Sequence, residues 1–348
     1  MCSTASKVWC GRNDDRRAAA LCRNAEKELE TMRLFWETVI EPIFEILQPG
    51  VIVEIGSSAG GNTSNILEYC QRSGATLHVI DPAPKYDIPT WQRRHGDNLV
   101  FHEDLSLNAL PQIEGSDVVL IDGDHNWYTV YNELRVIEAR CAELSRPFPL
   151  VMLHDVGWPY GRRDMYYNPE TIPEEYRKPH AQKGMHPDSR ELLEEGGSNS
   201  RLNNALLDNE PRSGVLTAVE DFMETTEQEL ELLKIPGING LGILVPSKLK
   251  EHNEALAAFL STLDFPEAAV RHVELVERIR WETQVRMRET KRRRKASEER
   301  LRDLERETQR LRRQIEDMKS SRGWKVAHGI NVATLKLRAV LGRLRARK

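Results

Sequence analysis

The 348-residue chain has no apolar run near the about 18 residues a membrane-crossing helix needs, and its N-terminus shows no signal-peptide pattern. A spanning or exported protein is not expected; the setting is cytoplasmic. Its five cysteines (Cys2, Cys10, Cys22, Cys70, Cys141) make no CxxC pair, which argues against a disulfide framework or a cysteine zinc site and for reduced thiols. The last stretch lacks acid altogether: beyond Gly323, seven Lys and Arg stand without one Asp or Glu. The formal net charge of -4 conceals this. Residues 1–270 hold 25 Lys+Arg against 43 Asp+Glu, whereas residues 271–348 hold 25 against 11. An acidic body therefore carries a basic extension, the pattern of an interaction element.

What is present is one stretch around which the rest is arranged, VIVEIGSSAGGNT at 51–63. The apolar run Val51-Ile52-Val53 ends in Glu54; after Ile55 the turn Gly56-Ser57-Ser58-Ala59-Gly60-Gly61 leads into helical spacing through Ile66, Leu67, Tyr69 and Cys70. This predicts a buried strand, a tight turn and a helix N-terminus. Such a turn suits a nucleotide-type cofactor, because glycine takes φ > 0, lets the backbone approach closely and leaves free N–H groups facing the ligand. The spacing Gly56-x-Ser58-x-Gly60 is not the dinucleotide fingerprint.

Strand and helix then alternate. Strands are predicted at 76–81, 98–102, 117–121 and 150–153, and each delivers acids to its C-terminal end: Asp81, Glu103-Asp104, Asp122-Gly123-Asp124-His125 and His154-Asp155. Ligands of open α/β sheets bind at that edge. Asp81 stands about twenty residues beyond the turn, where a carboxylate can accept from both ribose hydroxyls of an adenosine. Two closing strands are predicted at 229–235 and 241–245, around Pro236-Gly237. Upstream, Leu29, Met32, Phe35, Trp36, Val39, Ile43, Phe44 and Leu47 predict a helix over 26–47, bent near Pro42.

The segment 157–212 departs from the alternation; its length and its Tyr, Arg and His content mark it as a lid or substrate insertion over the strand edge. The predicted organisation is an N-terminal helical segment (1–48), a cofactor-binding domain (49–247), a charged helical extension (248–322) and a basic tail helix (323–348). In the extension Leu301, Leu304, Leu311, Ile315 and Met318 are heptad-like, which suits a short coiled coil and a homo-oligomer as well as a lone solvated helix. The run Lys291–Lys295 reads as a solvated face, so no nucleic-acid partner is expected. In the tail Val326, Ile330, Leu337, Leu341 and Leu344 share one helical side, which suits either the inner face of an anionic membrane or a protein partner.

The glycine turn, with its acid two residues ahead, resembles motif I of class I S-adenosylmethionine (SAM)-dependent methyltransferases, and the strand order over 50–246 resembles their whole domain. The phrases IDGDH (121–125) and LHD (153–155), with RRDMYYNPETIPEEYR and SGVLTAVEDF, are similar to a bacterial branch. That branch groups cephalosporin-hydroxylase-like and macrolide or sugar O-methyltransferases of glycan and secondary-metabolite type. The resemblance implies an α/β fold: a doubly wound, seven-stranded Rossmann-like methyltransferase sheet, its last strand antiparallel, with a C-terminal helical, partly coiled-coil extension. It implies SAM as cofactor, held by Glu54, Gly56, Ser57, Gly60, Asp81, Asp104 and Asp122, and Mg²⁺ at Asp122 and Asp155. The chain departs from the pattern at one place. Relatives often have two acids where His154-Asp155 stands, and a hard cation prefers oxygen.

The activity implied is O-methylation of a sugar, glycan or glycosylated small molecule. A sugar hydroxyl has a high pKa and needs a base or metal before it attacks. His125, Asp124 and His154 are the base candidates, although each also has a plain structural reading. Asp122 could cap the next helix, His125 could be a surface-loop residue, and His154 a satisfied buried one. The alternatives are a non-catalytic SAM-binding scaffold that recruits glycan-assembly enzymes, or another chemistry on the same fold, such as the hydroxylase label of relatives.

Overall fold

The computed structural model describes residues 32–345; Cys2, Cys10, Cys22 and the predicted helical residues 26–31 lie outside them. The N-terminal element is less regular than its spacing suggests. Met32–Phe35 is a 3₁₀ turn, Trp36–Ile40 a π turn, and only Glu41–Leu47 (α1) is α-helical. Pro42 has no N–H to continue an α ladder, so the chain widens before it and regains α geometry after it.

Strands β1 (Val51–Ile55), β2 (Thr76–Ile80), β3 (Leu99–His102), β4 (Val118–Ile121) and β5 (Leu150–His154) are parallel. The insertion adds β6 (Met165–Tyr166), β7 (His180–Ala181) and β8 (Asn203–Ala205) as a separate small sheet in the order β6-β8-β7. Then β9 (Leu230–Ile235) and β10 (Leu241–Pro246) complete a seven-stranded sheet in the order β3-β2-β1-β4-β5-β10-β9, with β10 antiparallel to both neighbours. This is the doubly wound sheet expected from the sequence.

The period-2 alternation of a strand buried on both faces is visible in β1. Ile52 joins one apolar cluster while Val53 and Ile55 join the other. The first cluster takes Ile66, Leu67 and Cys70 from helix α2 (Gly61–Ser73), and Leu256 and Leu260 from a later helix, Glu254–Thr262. The second takes Val130, Leu134 and Ile137 from Trp127–Glu143, and Val219 and Phe222 from Val215–Thr225. Cys70 and Cys141 are buried, unpaired thiols.

The β1 and β4 ends are pressed together. Gly56 has φ +85, and a Cβ added there would stand 2.3 Å from the Asp122 carbonyl oxygen. Gly56→Ala should therefore cost roughly 2 kcal/mol or more, because left-handed strain alone is ~1–2 kcal/mol and the overlap adds to it. Urea unfolding reads this directly, and an unchanged midpoint would mean that the two turns are not in contact.

The described residues up to Thr283 form one compact unit and those from Gln284 onward a second. In the second the chain is helical to Ser320 and again over Arg322–Arg345. Leu301, Leu304, Leu311, Ile315 and Met318 are exposed there, as are Val326, Ile330, Leu337 and Leu341. No helix of the described residues is long and apolar enough to cross a membrane.

Candidate active site at the C-terminal edge of the sheet

The glycine turn is clamped by acids. Asp81, buried at the end of β2, accepts at Oδ2 from Ser57 N (2.9 Å), Ser57 Oγ (2.8 Å) and Ser58 N (2.9 Å), and at Oδ1 from Ala83 N (2.8 Å). The carboxylate expected to meet a ribose thus also fixes the turn that would hold the rest of the cofactor. Glu54, 1% exposed, accepts from Asn62 Nδ2 (2.8 Å) and Thr63 Oγ1 (2.6 Å) and ties β1 to the start of α2. Gly60 caps that helix at φ +81. Asp104 lies half-buried after β3; it accepts from Asn108 Nδ2 and Leu105 N, and these bonds hold its carboxyl below the usual range.

Two aromatic residues that sequence reasoning passed over roof this turn. The rings of Tyr86 and Trp91 stack at 4.3 Å, Tyr86 Oη donates to Ser57 Oγ at 3.0 Å, and a Cβ on Gly60 would meet the Trp91 ring at 2.6 Å. Two aromatics so soon after a ligand-bearing strand end were the available signal.

Beside the turn, the ends of β4 and β5 bring Asp122, His125, His154 and Asp155 together, with one donor atom of each within 4.8 Å of the others. His154 Nδ1 stands 3.1 Å from Asp122 Oδ1 and 2.9 Å from Asp155 Oδ2. Its Nε2 is 3.0 Å from the Ile238 carbonyl oxygen, which can only accept, so Nε2 carries the proton. His125 Nε2 lies 2.7 Å from Asp155 Oδ2 and 3.6 Å from Asp122 Oδ1. Neither ring nitrogen of His125, nor Asp155 Oδ1, has a directed hydrogen bond among the described residues. Asp155 also has φ +61, an uncommon conformation for a residue with a Cβ.

Burial opposes charge on all four groups, and their mutual attraction outweighs it. Asp155 and Asp122 raise His125 to about 10 and lift His154 well above its usual value; the imidazoles in turn hold both carboxyls low. Asp124 stands apart from this group. It turns to the start of the next helix, where Oδ2 accepts from Thr129 Oγ1 at 3.2 Å and burial pushes its carboxyl up.

Mg²⁺, which the resemblance implies at Asp122 and Asp155, does not fit this donor set. It is an ion of oxygen ligands and retained waters, whereas half the converging donors here are imidazole nitrogens. SAM fits the neighbouring turn. The turn needs glycine on both sides, at Gly56 and Gly60, and ends in helix N–H groups beside a buried carboxylate.

The insertion is fastened over this edge by polar side chains. Asp164, 1% exposed, accepts at Oδ1 from Trp127 N and Gly214 N (both 2.7 Å) and at Oδ2 from Tyr166 Oη (2.8 Å). It thereby joins the starts of the Trp127 and Val215 helices to the insertion. Arg163, equally buried, donates to the Ala205 and Arg190 carbonyls. Met165 N donates to His125 O at 2.9 Å, and the Tyr160 ring centroid lies 5.4 Å from that of His125. His180 and His186 stay outside the four-residue group; His180 bonds the Lys178 carbonyl, and His186 Nδ1 accepts from Asp188 N.

The sheet is that of the class I methyltransferases, and residues 53–156, from mid-β1 to just past Asp155, match a family model described as a methyltransferase domain. Several solved structures are similar. A Podospora anserina methyltransferase bound to S-adenosylhomocysteine (SAH) is 14% identical, with 70% of this chain and 99% of that one covered and a TM-score of 0.37. A Bacillus cereus O-methyltransferase in complex with SAH is 16% identical, covering 67% and 89% at a TM-score of 0.35. The Burkholderia thailandensis 1,6-didemethyltoxoflavin-N1-methyltransferase is 14% identical, covering 70% and 92% at 0.33. No curated protein matches the chain.

Proposed function

We propose that the chain is a SAM-dependent methyltransferase that modifies a hydroxyl of a sugar or glycosylated small molecule. The observation that carries this reading is the contact of Gly56 with the Asp122–Gly123 backbone, which sets the clamped glycine turn beside buried His125. SAM, when bound, supplies a sulfonium methyl for in-line displacement, a reaction in which alignment provides much of the rate.

The protein's own residues do the rest. The backbone of Gly56, Ser57 and Gly60 holds the cofactor's chain, Asp81 meets the ribose through Oδ1, and Glu54 and Asp104 keep the surrounding elements in place. His125 takes the acceptor's proton at Nε2. The Tyr160 ring and the insertion exclude water from that nitrogen. Asp122, His154 and Asp155 hold His125 and the charge around it.

Calorimetry with SAH tests the cofactor half. Asp81→Ala should weaken binding by ~1–3 kcal/mol, the cost of leaving the ribose hydroxyls without their buried partner. A folded Asp81→Ala protein with unchanged affinity would remove the assignment. Labelled SAM with candidate nucleotide sugars and glycans tests the rest: SAH formation is expected, and binding without turnover would favour the scaffold reading.

A further inference from the structure

We infer that Asp122, His154 and Asp155 form a binding site for a first-row transition ion of the Fe²⁺ to Zn²⁺ range, with His154 Nδ1 as a ligand, and that this site discriminates against Mg²⁺. The inference deepens the function proposed above, because it concerns the same strand ends, but its first support is the tautomer of His154. The Ile238 carbonyl oxygen holds one proton on Nε2 at 3.0 Å, so that a cation that displaces the Nδ1 proton shared with the carboxylates would meet a lone pair pointing between Asp122 Oδ1 and Asp155 Oδ2. A carbonyl behind one imidazole nitrogen is the usual way a protein aims the other nitrogen at a metal.

The spacing agrees with this. Bonds of about 2.1 Å at right angles place adjacent ligand atoms about 3 Å apart, and the three donors meet at 2.9 and 3.1 Å around His154 Nδ1. Asp155 adds a second, separate observation. Its side chain is 6% exposed, its Oδ1 has no partner among the described residues, and its backbone is held at φ +61. An uncommon backbone conformation and an unsatisfied buried oxygen are the marks of a residue placed for a ligand rather than for packing. Asp122 keeps its side chain 22% exposed, which leaves the group an open side.

The donor chemistry sets the preference. One imidazole with two carboxylates suits the middle and later first-row ions, whose affinities rise toward Cu²⁺, far better than Mg²⁺, which gives up its waters reluctantly and takes oxygen. A position filled by acid would favour Mg²⁺; here it is filled by His154. A second cluster, His186, Asp188 and Glu282, lies at the surface with its His186 Nδ1 already accepting from Asp188 N, and it serves as an internal control.

The test uses full-length protein stripped with a chelator, titrated calorimetrically with Co²⁺, Zn²⁺ and Mg²⁺, with the visible spectrum of the Co²⁺ form recorded. Co²⁺ and Zn²⁺ should bind one to one, about 100-fold or more tighter than Mg²⁺. His154→Ala should abolish that site and His186→Ala should leave it. His154→Asp should narrow the gap to within about tenfold by weakening Co²⁺ and strengthening Mg²⁺. SAH binding, measured in each variant, reports the fold. Mg²⁺ binding as tightly as Co²⁺ in the wild type would overturn the inference. So would the absence of any such site in a protein that binds SAH, or its loss in His186→Ala with retention in His154→Ala. A protein that takes Co²⁺ through His154 but never binds SAH would sustain the metal site while sinking the methyltransferase reading.

Discussion

Replacing His125 with alanine should lower methyl transfer by about 10²-fold or more with SAH affinity unchanged, the loss expected when a general base is removed from an otherwise intact site. His125 is 7% exposed in the turn after β4, and the glycine turn meets Asp122 and Gly123 rather than His125. The turn's clamps, Asp81 and Glu54, make no use of it, so cofactor binding should survive. Although burial favours the neutral ring, Asp155 and Asp122 hold it protonated to about 10. Nε2 must therefore give up that proton before it can accept one, and turnover should rise as pH approaches about 10. Turnover of labelled SAM in the variant is the measurement. Activity within a few fold of wild type would assign the proton to another group, and His154, whose ring is fixed by Ile238, would be the next to examine.

The largest effect on stability is expected at Asp164. Asp164→Ala leaves Trp127 N, Gly214 N and Tyr166 Oη without their acceptor, and each orphaned buried donor costs ~1–3 kcal/mol. A loss of ~3 kcal/mol or more is expected in denaturant unfolding, and the insertion should become sensitive to protease. Asp164→Asn should be far milder. Its Oδ1 can still accept from both helix starts, and its Nδ2 can face Tyr166 Oη, which is able to accept.

The two variants also separate charge from hydrogen bonding. Burial raises the Asp164 carboxyl from 3.8 to about 6, against the pull of its donors. The folded state therefore holds that proton more tightly than the unfolded chain does. Stability from this source is present at low pH and lost as pH rises through about 6. Wild type should lose ground to Asp164→Asn between about pH 4 and pH 7. Equal damage from Ala and Asn at every pH would show that Asp164 does not fasten the insertion.

The sheet was legible because its signals are local. The apolar runs that end at Ile55, Ile80, His102, Ile121 and His154 each stop in a turn residue or an acid, and the structure places every strand end within a residue or so of that punctuation. The contact of Asp122 and His125 with His154 and Asp155 follows from β4 lying beside β5, a neighbourhood that comes with the fold. Asp124 was not separable from its neighbours, because a turn has no period to say which side chain faces inward. Asp164 was invisible as a clasp for another reason. Its partners are Trp127 and Gly214, 37 and 50 residues away, and nothing in the chain near it announces them. Pro42 was read correctly as a disturbance, but its form, a π turn ahead of it, depends on the packing of Trp36, Val39 and Ile40 against the sheet.

The left-handed backbone at Asp155 restricts what evolution or an engineer can write there. At φ +61 only glycine, asparagine and aspartate sit without appreciable strain. Glutamate and cysteine, which could also hold a metal or a proton, are less readily accommodated at this dihedral. The repertoire at this position is thus narrowed to one acid, its neutral isostere and no side chain at all, whereas His154, one residue earlier and inside the regular strand, is under no such restriction. A change in the chemistry of this edge is therefore easier to write at position 154 than at 155.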